Sequence, residues 1–147
     1  MFVKQMLPRA RERLATIGAG SPVREAADLM SRPHTDLVVV CDQDGGMVGV
    51  VTKTDIVGQI RQCEGHGCVA RVDTIMSRGV VSCQPSDPLH DIWSLMKERG
   101  LQRIPIIDGD RKPIGIIYAR DALQNLLGES ESDETLLRDY VMGIGYQ

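Results

Sequence analysis

Aromatic residues are scarce in this chain, with one Trp, one Phe and three Tyr among 147 residues. Proteins that hold single-stranded nucleic acid stack bases on aromatic rings, so that class of partner is not expected. Charge of one sign is lacking too. The 17 Lys and Arg against 20 Asp and Glu leave a net charge of −3, without the basic footprint of a DNA-binding domain. The longest apolar run, Leu37 to Cys41, falls far short of the ~20 residues of a membrane helix and suits a buried strand. No apolar stretch follows Met1-Phe2-Val3-Lys4 that would serve as a secretion signal, and the four cysteines form no regular framework. Reduced thiols and a cytoplasmic location are expected, with no membrane partner. Gly45-Gly46 lacks the Gly-Lys-Ser/Thr of a phosphate-binding loop, and no Ser or Cys has a recognisable His partner. His90 falls on the polar face of its helix. Catalysis is not expected.

What remains is ordinary globular composition, 42% hydrophobic and 25% charged. A chain of this size buries about 68–70% of its extended surface, enough for one core or two small fused ones.

The chain also repeats itself, and internal repeats decide a fold before motifs do. Subtracting 66 from positions in the second half recovers the first: Pro88 falls on Pro22, Leu95 on Leu29, Met96 on Met30, Gly115 on Gly49 and Asp121 on Asp55. Ser82 likewise falls on Thr16. In the middle the offset reads as 67, laying Leu37-Val38-Val39-Val40 over Ile104-Pro105-Ile106-Ile107. Each copy opens with a helix start, Ser21-Pro22 or Asp87-Pro88, in which the Ser or Asp is expected to cap. Val23, Ala26, Ala27 and Met30 then recur at helical spacing, as do Leu89, Ile92, Trp93 and Met96. A β-branched run, a polar turn, a second apolar run and a second helix follow, the last helix ending at Leu127 with Gly128 as its cap. Short lead-in strands are expected around Leu14–Ile17 and Val80–Cys83. The fold class is therefore α/β. Two units packed sheet against sheet would share a core and a pseudo-twofold axis.

Three local patterns carry a family resemblance. One is Gly49-Val50-Val51-Thr52-Lys53-Thr54-Asp55, with its second copy Gly115-Ile116-Ile117-Tyr118-Ala119-Arg120-Asp121. Another is Arg103-Ile104-Pro105-Ile106-Ile107-Asp108. The last is the lead-in Val72-Asp73-Thr74-Ile75-Met76-Ser77, echoed by Val3-Lys4-Gln5-Met6-Leu7. In this order, and twice, they resemble the CBS repeat, named for cystathionine β-synthase, of which two tandem copies form one module. The resemblance covers about Leu14 to Leu127. It implies repeats over roughly 1–71 and 72–128, followed by a C-terminal segment, 129–147. It further implies a non-catalytic regulatory module that needs no cofactor and binds AMP, ADP, ATP, S-adenosylmethionine or a NAD-type nucleotide between the repeats. Such modules associate into flat homodimers, and this one looks like a stand-alone bacterial member acting on an unidentified regulated protein.

Site residues are read with two meanings each. Thr52 and Asp55 form a capping box, which alone explains them, while the resemblance puts Asp55 on ribose hydroxyls and Thr52 near phosphate at a helix N-terminus. Asp121 keeps its carboxylate although Tyr118, a poor cap, replaces the threonine, so two inequivalent clefts are expected with the Thr52 one better. The resemblance puts Arg103 on phosphate, where a guanidinium fork suits the oxygens, the alternative being a surface arginine paired with a nearby acid; its first-copy counterpart reads as Asp36. Lys53 and Arg120 are weaker phosphate candidates. Thr16 and Ser82 are either nucleotide hydroxyls or plain strand residues, and Ile17, Val38, Pro105 and Ile106 are candidates to line the adenine. Cys63, His66 and Cys68 read as an inter-repeat loop, with a metal or thiol switch as the alternative, for which His34 or Cys83 would supply a further ligand. The module could also be a ligand-free dimerisation scaffold. Leu136, Leu137, Tyr140 and Val141 form one face of a final helical segment that either docks on the module or contacts a partner.

Overall fold

The computed structural model describes residues 1–33, 35–62 and 70–129. A single 3-10 turn (Val3–Met6) leads into α1 (Leu7–Arg13), followed by β1 (Thr16–Gly18), α2 (Val23–Met30), β2 (Leu37–Cys41), β3 (Met47–Thr52) and α3 (Lys53–Gln62). The second copy runs through another 3-10 turn (Val72–Thr74), α4 (Leu89–Arg99), β4 (Arg103–Ile107), β5 (Pro113–Tyr118) and α5 (Ala119–Glu129). Among the described residues no helix is long and apolar enough to cross a membrane.

β2 lies between β1, to which it is parallel, and β3, to which it is antiparallel; β4 and β5 form a two-stranded antiparallel sheet. Strand alternation sorts the apolar residues into layers. Val38, Val40 and Val51 face α2 and α3, in a core with Val23, Ala26 and Ile56. Ile104, Ile106 and Ile117 occupy the matching core under α4 and α5. The opposite faces meet: Leu37, Val39, Met47 and Val50 pack with Ile107, Ile116 and Tyr118, so the sheets stack between two outer layers of helices.

The ladders correct the alignment of the copies. Arg103 pairs with Tyr118 as Leu37 pairs with Thr52, and Ile106 with Gly115 as Val40 with Gly49. A register irregularity falls after Val40 and after Ile106 alike. The offset is thus 66 through these strands. The counterpart of Arg103 is Leu37 and not Asp36. An apolar run offers no side-chain landmark against a one-residue slip, whereas the paired strand fixes it.

The lead-ins are exchanged between the copies. Val72 N–H donates to the Ser21 carbonyl and Val23 N–H to the Ala70 carbonyl, at 2.8 Å each; in the other copy Val3 N–H donates to Asp87 and Leu89 N–H to Met1, at 2.9 Å each. So Val3 corresponds to Val72, yet it sits under the second copy's helices while Val72 sits under the first's. These bonds also explain why neither helix uses the expected cap. The first helical N–H of α2 and of α4 already has a lead-in carbonyl, and Pro22 and Pro88 hold the N-cap positions without a side-chain bond. Asp87 instead accepts the Gln84 N–H at 2.8 Å.

Two further expectations fail locally. The strand expected at Val80–Cys83 shrinks to a bridge between Cys83 and Ile106. In the first copy the Val39 N–H donates to Ala15 at 2.9 Å; the residue in its place is Pro105, which has no N–H to give. Gly128 does not end α5, which continues to Glu129.

Candidate functional site

Each copy has a corner where its hairpin runs into its second helix beside a lead-in. In the first, β3 delivers Thr52 and α3 carries Asp55 in its opening turn. Asp55 Oδ2 accepts the Thr52 N–H at 2.9 Å and the Thr52 hydroxyl at 3.1 Å, and the Asp55 N–H approaches Thr52 Oγ1 at 3.4 Å. This is the capping box read from the sequence. Both residues are half-buried, and among the described residues nothing bonds Asp55 Oδ1. Lys53 is exposed beside them.

The second corner is built from the same positions with opposite chemistry. Asp121 is 5% exposed, and Arg13, from the end of α1, grips it with two parallel bonds, Nε to Oδ2 at 3.2 Å and Nη2 to Oδ1 at 3.3 Å. The Arg13 guanidinium lies 4.4 Å from the centre of the Tyr118 ring and that of Arg103 lies 5.1 Å from it. Arg103 Nη2 is ion-paired with Asp36 Oδ2, and the Tyr118 hydroxyl donates to Asp36 Oδ1 at 3.4 Å. Among the described residues Arg103 Nε is buried without a hydrogen-bond partner. Burial pushes the Tyr118 phenol above its ordinary pKa and the Asp36 carboxylate adds to this, while Arg103 and Arg13 pull it back; the neutral hydroxyl is the donor this network uses.

The trio Thr52, Asp55 and Arg103 therefore divides. Arg103 does cross from the second copy to the first, but its partner there is Asp36, and its neighbours are Tyr118 and, through that ring, Arg13. Arg13 carried no signal in the sequence reading, because only the lead-in exchange brings it to Asp121. Arg120 is exposed. Ile17, Val38 and Ile106, at 7%, 0% and 0% exposure, belong to the helix-facing cores and present no surface to the space between the repeats. Pro105 is buried in its strand.

Thr16 and Ser82 lie elsewhere, in two shallow grooves of about 380 and 470 Å³ whose linings match at the offset of 66 in six of eight positions. Glu25, Asp28 and Arg32 line the first beside α2, and Asp91, Ser94 and Glu98 the second beside α4. A larger depression of about 650 Å³ between the hairpin turns sets Arg78, Arg111 and Lys112 against Asp42, Asp44 and Asp110, a balanced lining with no preference for either sign.

Cys63, His66, Cys68 and His34 lie outside the described residues. Cys83 is described, and burial, with Asp87 adding, pushes its thiol up to about 12. A thiolate there is too costly for metal or redox chemistry near neutrality. Cys83 is expected to resist alkylation at pH 8 in the folded protein and to react once unfolded; peptide mass mapping with and without denaturant checks this. No group of three metal-ligating side chains gathers among the described residues.

The family model for the CBS domain matches residues 3–62 and 72–128. The CBS domain-containing protein YhcV of Bacillus subtilis is 28% identical over 123 residues, covering 84% of this chain and 86% of that one. A homoserine O-acetyltransferase of Methanohalobium evestigatum is 29% identical over 110 residues, covering 75% of this chain; the chain spans only about a fifth to a third of the first curated relatives it matches, 22% in that case. Two solved structures share the fold. The CBS domain pair of protein MJ0100, in complex with 5′-methylthioadenosine and S-adenosyl-L-methionine, aligns with a TM-score of 0.71 at 21% identity over 88% of this chain and 98% of that one. CBSX2 in complex with AMP aligns at 0.72 and 23% identity over 86% and 96%. With both matches falling on the two halves that the strand ladders superpose, the chain belongs to the CBS domain family and carries two such domains as a tandem pair.

Proposed function

We propose that this pair is a non-catalytic regulatory module that binds one adenosine-containing ligand at the Thr52–Asp55 corner. One observation carries the reading: among the described residues Asp55 keeps an oxygen free at the start of a ten-residue helix, whereas its counterpart Asp121 is sealed under Arg13. A carboxylate in that position accepts from the two hydroxyls of a ribose, and the neighbouring helix N–H groups favour an anion. The adenosine ligands of the two solved pairs that share the fold support the same class.

Charge narrows the ligand. Where the second copy has Arg103 and Arg13, the first has Leu37 and Gly79, so this corner lacks both guanidiniums. Lys53 and the helix terminus can balance one phosphate and not three. AMP or an uncharged 5′-substituted adenosine fits better than ATP. Binding would shift the arrangement of the repeats, or of a homodimer in the cytoplasm, only by the ligand's differential affinity for the two states; a tenfold difference is worth about 1.4 kcal/mol. A regulated protein would read that shift. AMP at ~100 times its Kd is expected to stabilise the fold by about 2.7 kcal/mol, seen as a rise in Tm. Asp55→Ala should abolish the rise at a cost of about 1 kcal/mol to the free protein, since a capping bond is lost. An unchanged rise in that variant overturns the site. No rise with AMP, ATP or 5′-methylthioadenosine in the unmodified protein favours the second reading, a dimerisation scaffold, to which the sealed second corner already points.

A further inference from the structure

The two corners share a scaffold but not a vacancy, and Arg13 makes the difference. Its guanidinium meets Asp121 with both nitrogens, at 3.2 and 3.3 Å, and covers the Tyr118 ring at 4.4 Å. The Arg13 and Asp121 side chains are 13% and 7% exposed. The position 66 residues later is Gly79, where an added Cβ would meet nothing within 4 Å. That equivalence is secured on either side. Leu14 and Val80 both pack between the sheets, and the matching glycines Gly115 and Gly49 are pressed by Ala10 in one copy and by Met76 and Ser77 in the other. The first copy thus has a small residue, an open carboxylate and a threonine where the second has a guanidinium, a closed carboxylate and an aromatic ring.

We propose that Arg13 is the resident occupant of the second corner, a side chain standing where the other corner takes its ligand, so that the pair is a single-site receptor by construction. A guanidinium donating to both oxygens of a carboxylate uses the acceptors that two ribose hydroxyls would use. Tyr118 adds a flat surface for that cation. The occupant is fixed and not a lid, because α1 is anchored on β5: a Cβ at Gly115 would stand 2.7 Å from the Cβ of Ala10, one turn before Arg13. Ligand stoichiometry is thereby set by Arg13 of the lead-in, seated on Tyr118.

The single-site count rests on the nucleotide reading above; the occupancy by Arg13 does not, and the experiment separates them. Thermal unfolding of Arg13→Ala is followed with added methylguanidinium, the detached head group. The expected result is a rise in Tm absent from the unmodified protein and from Arg13→Ala/Asp121→Asn. Equal response in all three, or in none, overturns the occupancy. Calorimetric titration with AMP is then expected to give one equivalent for the unmodified protein, lost in Asp55→Ala and retained in Asp121→Ala. Two equivalents are expected for Arg13→Met/Tyr118→Thr, which keeps the apolar stem. Two equivalents in the unmodified protein, or loss of the one through Asp121→Ala, overturn the proposal without any need for the Arg13 variants to fold. No binding of AMP, ATP or 5′-methylthioadenosine in any form overturns the nucleotide reading, and the methylguanidinium response alone then decides the occupancy.

Discussion

Arg13→Ala is expected to cost about 3–5 kcal/mol, the penalty of leaving one partner of a buried ion pair without the other. Domains of this size have total stabilities of roughly 5–15 kcal/mol, so this single arginine near the N-terminus would carry a large share. Three contributions combine. Asp121 stays in its apolar corner with two oxygens unsatisfied, Tyr118 loses a cation from its ring, and the Arg13 stem no longer packs against β5. The cost is one of an unpaired charge and not of the pair's intrinsic strength. Replacing both members by apolar residues of similar volume, Arg13→Met with Asp121→Leu, should therefore recover most of the loss. Urea unfolding of the two single variants and the double gives the coupling directly. A cost below about 1 kcal/mol for Arg13→Ala would mean that the pair is solvated like an ordinary surface bridge.

That this residue escaped the sequence reading has a physical reason. Local patterns reveal what neighbouring residues do to one another: the capping box at Thr52 and Asp55, the amphipathic faces of α2 and α4, the five-residue strand Leu37–Cys41 and the repeat itself were all legible. The pairing of Arg13 with Asp121 spans 108 residues and depends on an N-terminal segment crossing to the other copy. The nearest sequence signal was Tyr118, an aromatic residue at a position where the first copy has a threonine. It marked the second corner as different without saying what it faced. Asp36 shows the same limit. In the sequence it reads as the counterpart of Arg103, and the ladder makes it the neighbour of that counterpart and the partner of Arg103 itself. A charge of the wrong sign for phosphate is the right sign for a salt bridge across the repeats.

Pro105 teaches the converse. As part of a family pattern it read as a binding residue; as a backbone element it explains why the second copy's lead-in strand is a single bridge, since one missing N–H stops the ladder where the first copy extends it. Missing donors are visible in a sequence only once the register is known.

The lead-in exchange itself depends on two glycines. At Gly115 an added Cβ would lie 2.7 Å from the Ala10 Cβ and 3.1 Å from its carbonyl carbon, and at Gly49 it would lie 2.7 Å from the Ser77 carbonyl oxygen. Those neighbours are backbone or the first atom of a side chain, so rotation cannot relieve them, and the contact can open only by moving the whole lead-in. Gly115→Ala is expected to destabilise by about 2–3 kcal/mol, at the upper end for one inserted methyl, because α1 must lift from β5. Lifting α1 also withdraws Arg13 from Asp121, so the two effects should couple: in the Arg13→Met/Asp121→Leu background the same glycine change should cost less. Ala10→Gly removes the nearest atom and should return part of the loss, offset by about 1 kcal/mol for a glycine inside α1. Thermal unfolding of Gly115→Ala with and without Ala10→Gly reads this directly. Gly115→Ala with unaltered stability would mean that the first lead-in does not press on β5, and the exchanged arrangement that seals the second corner would fall with it.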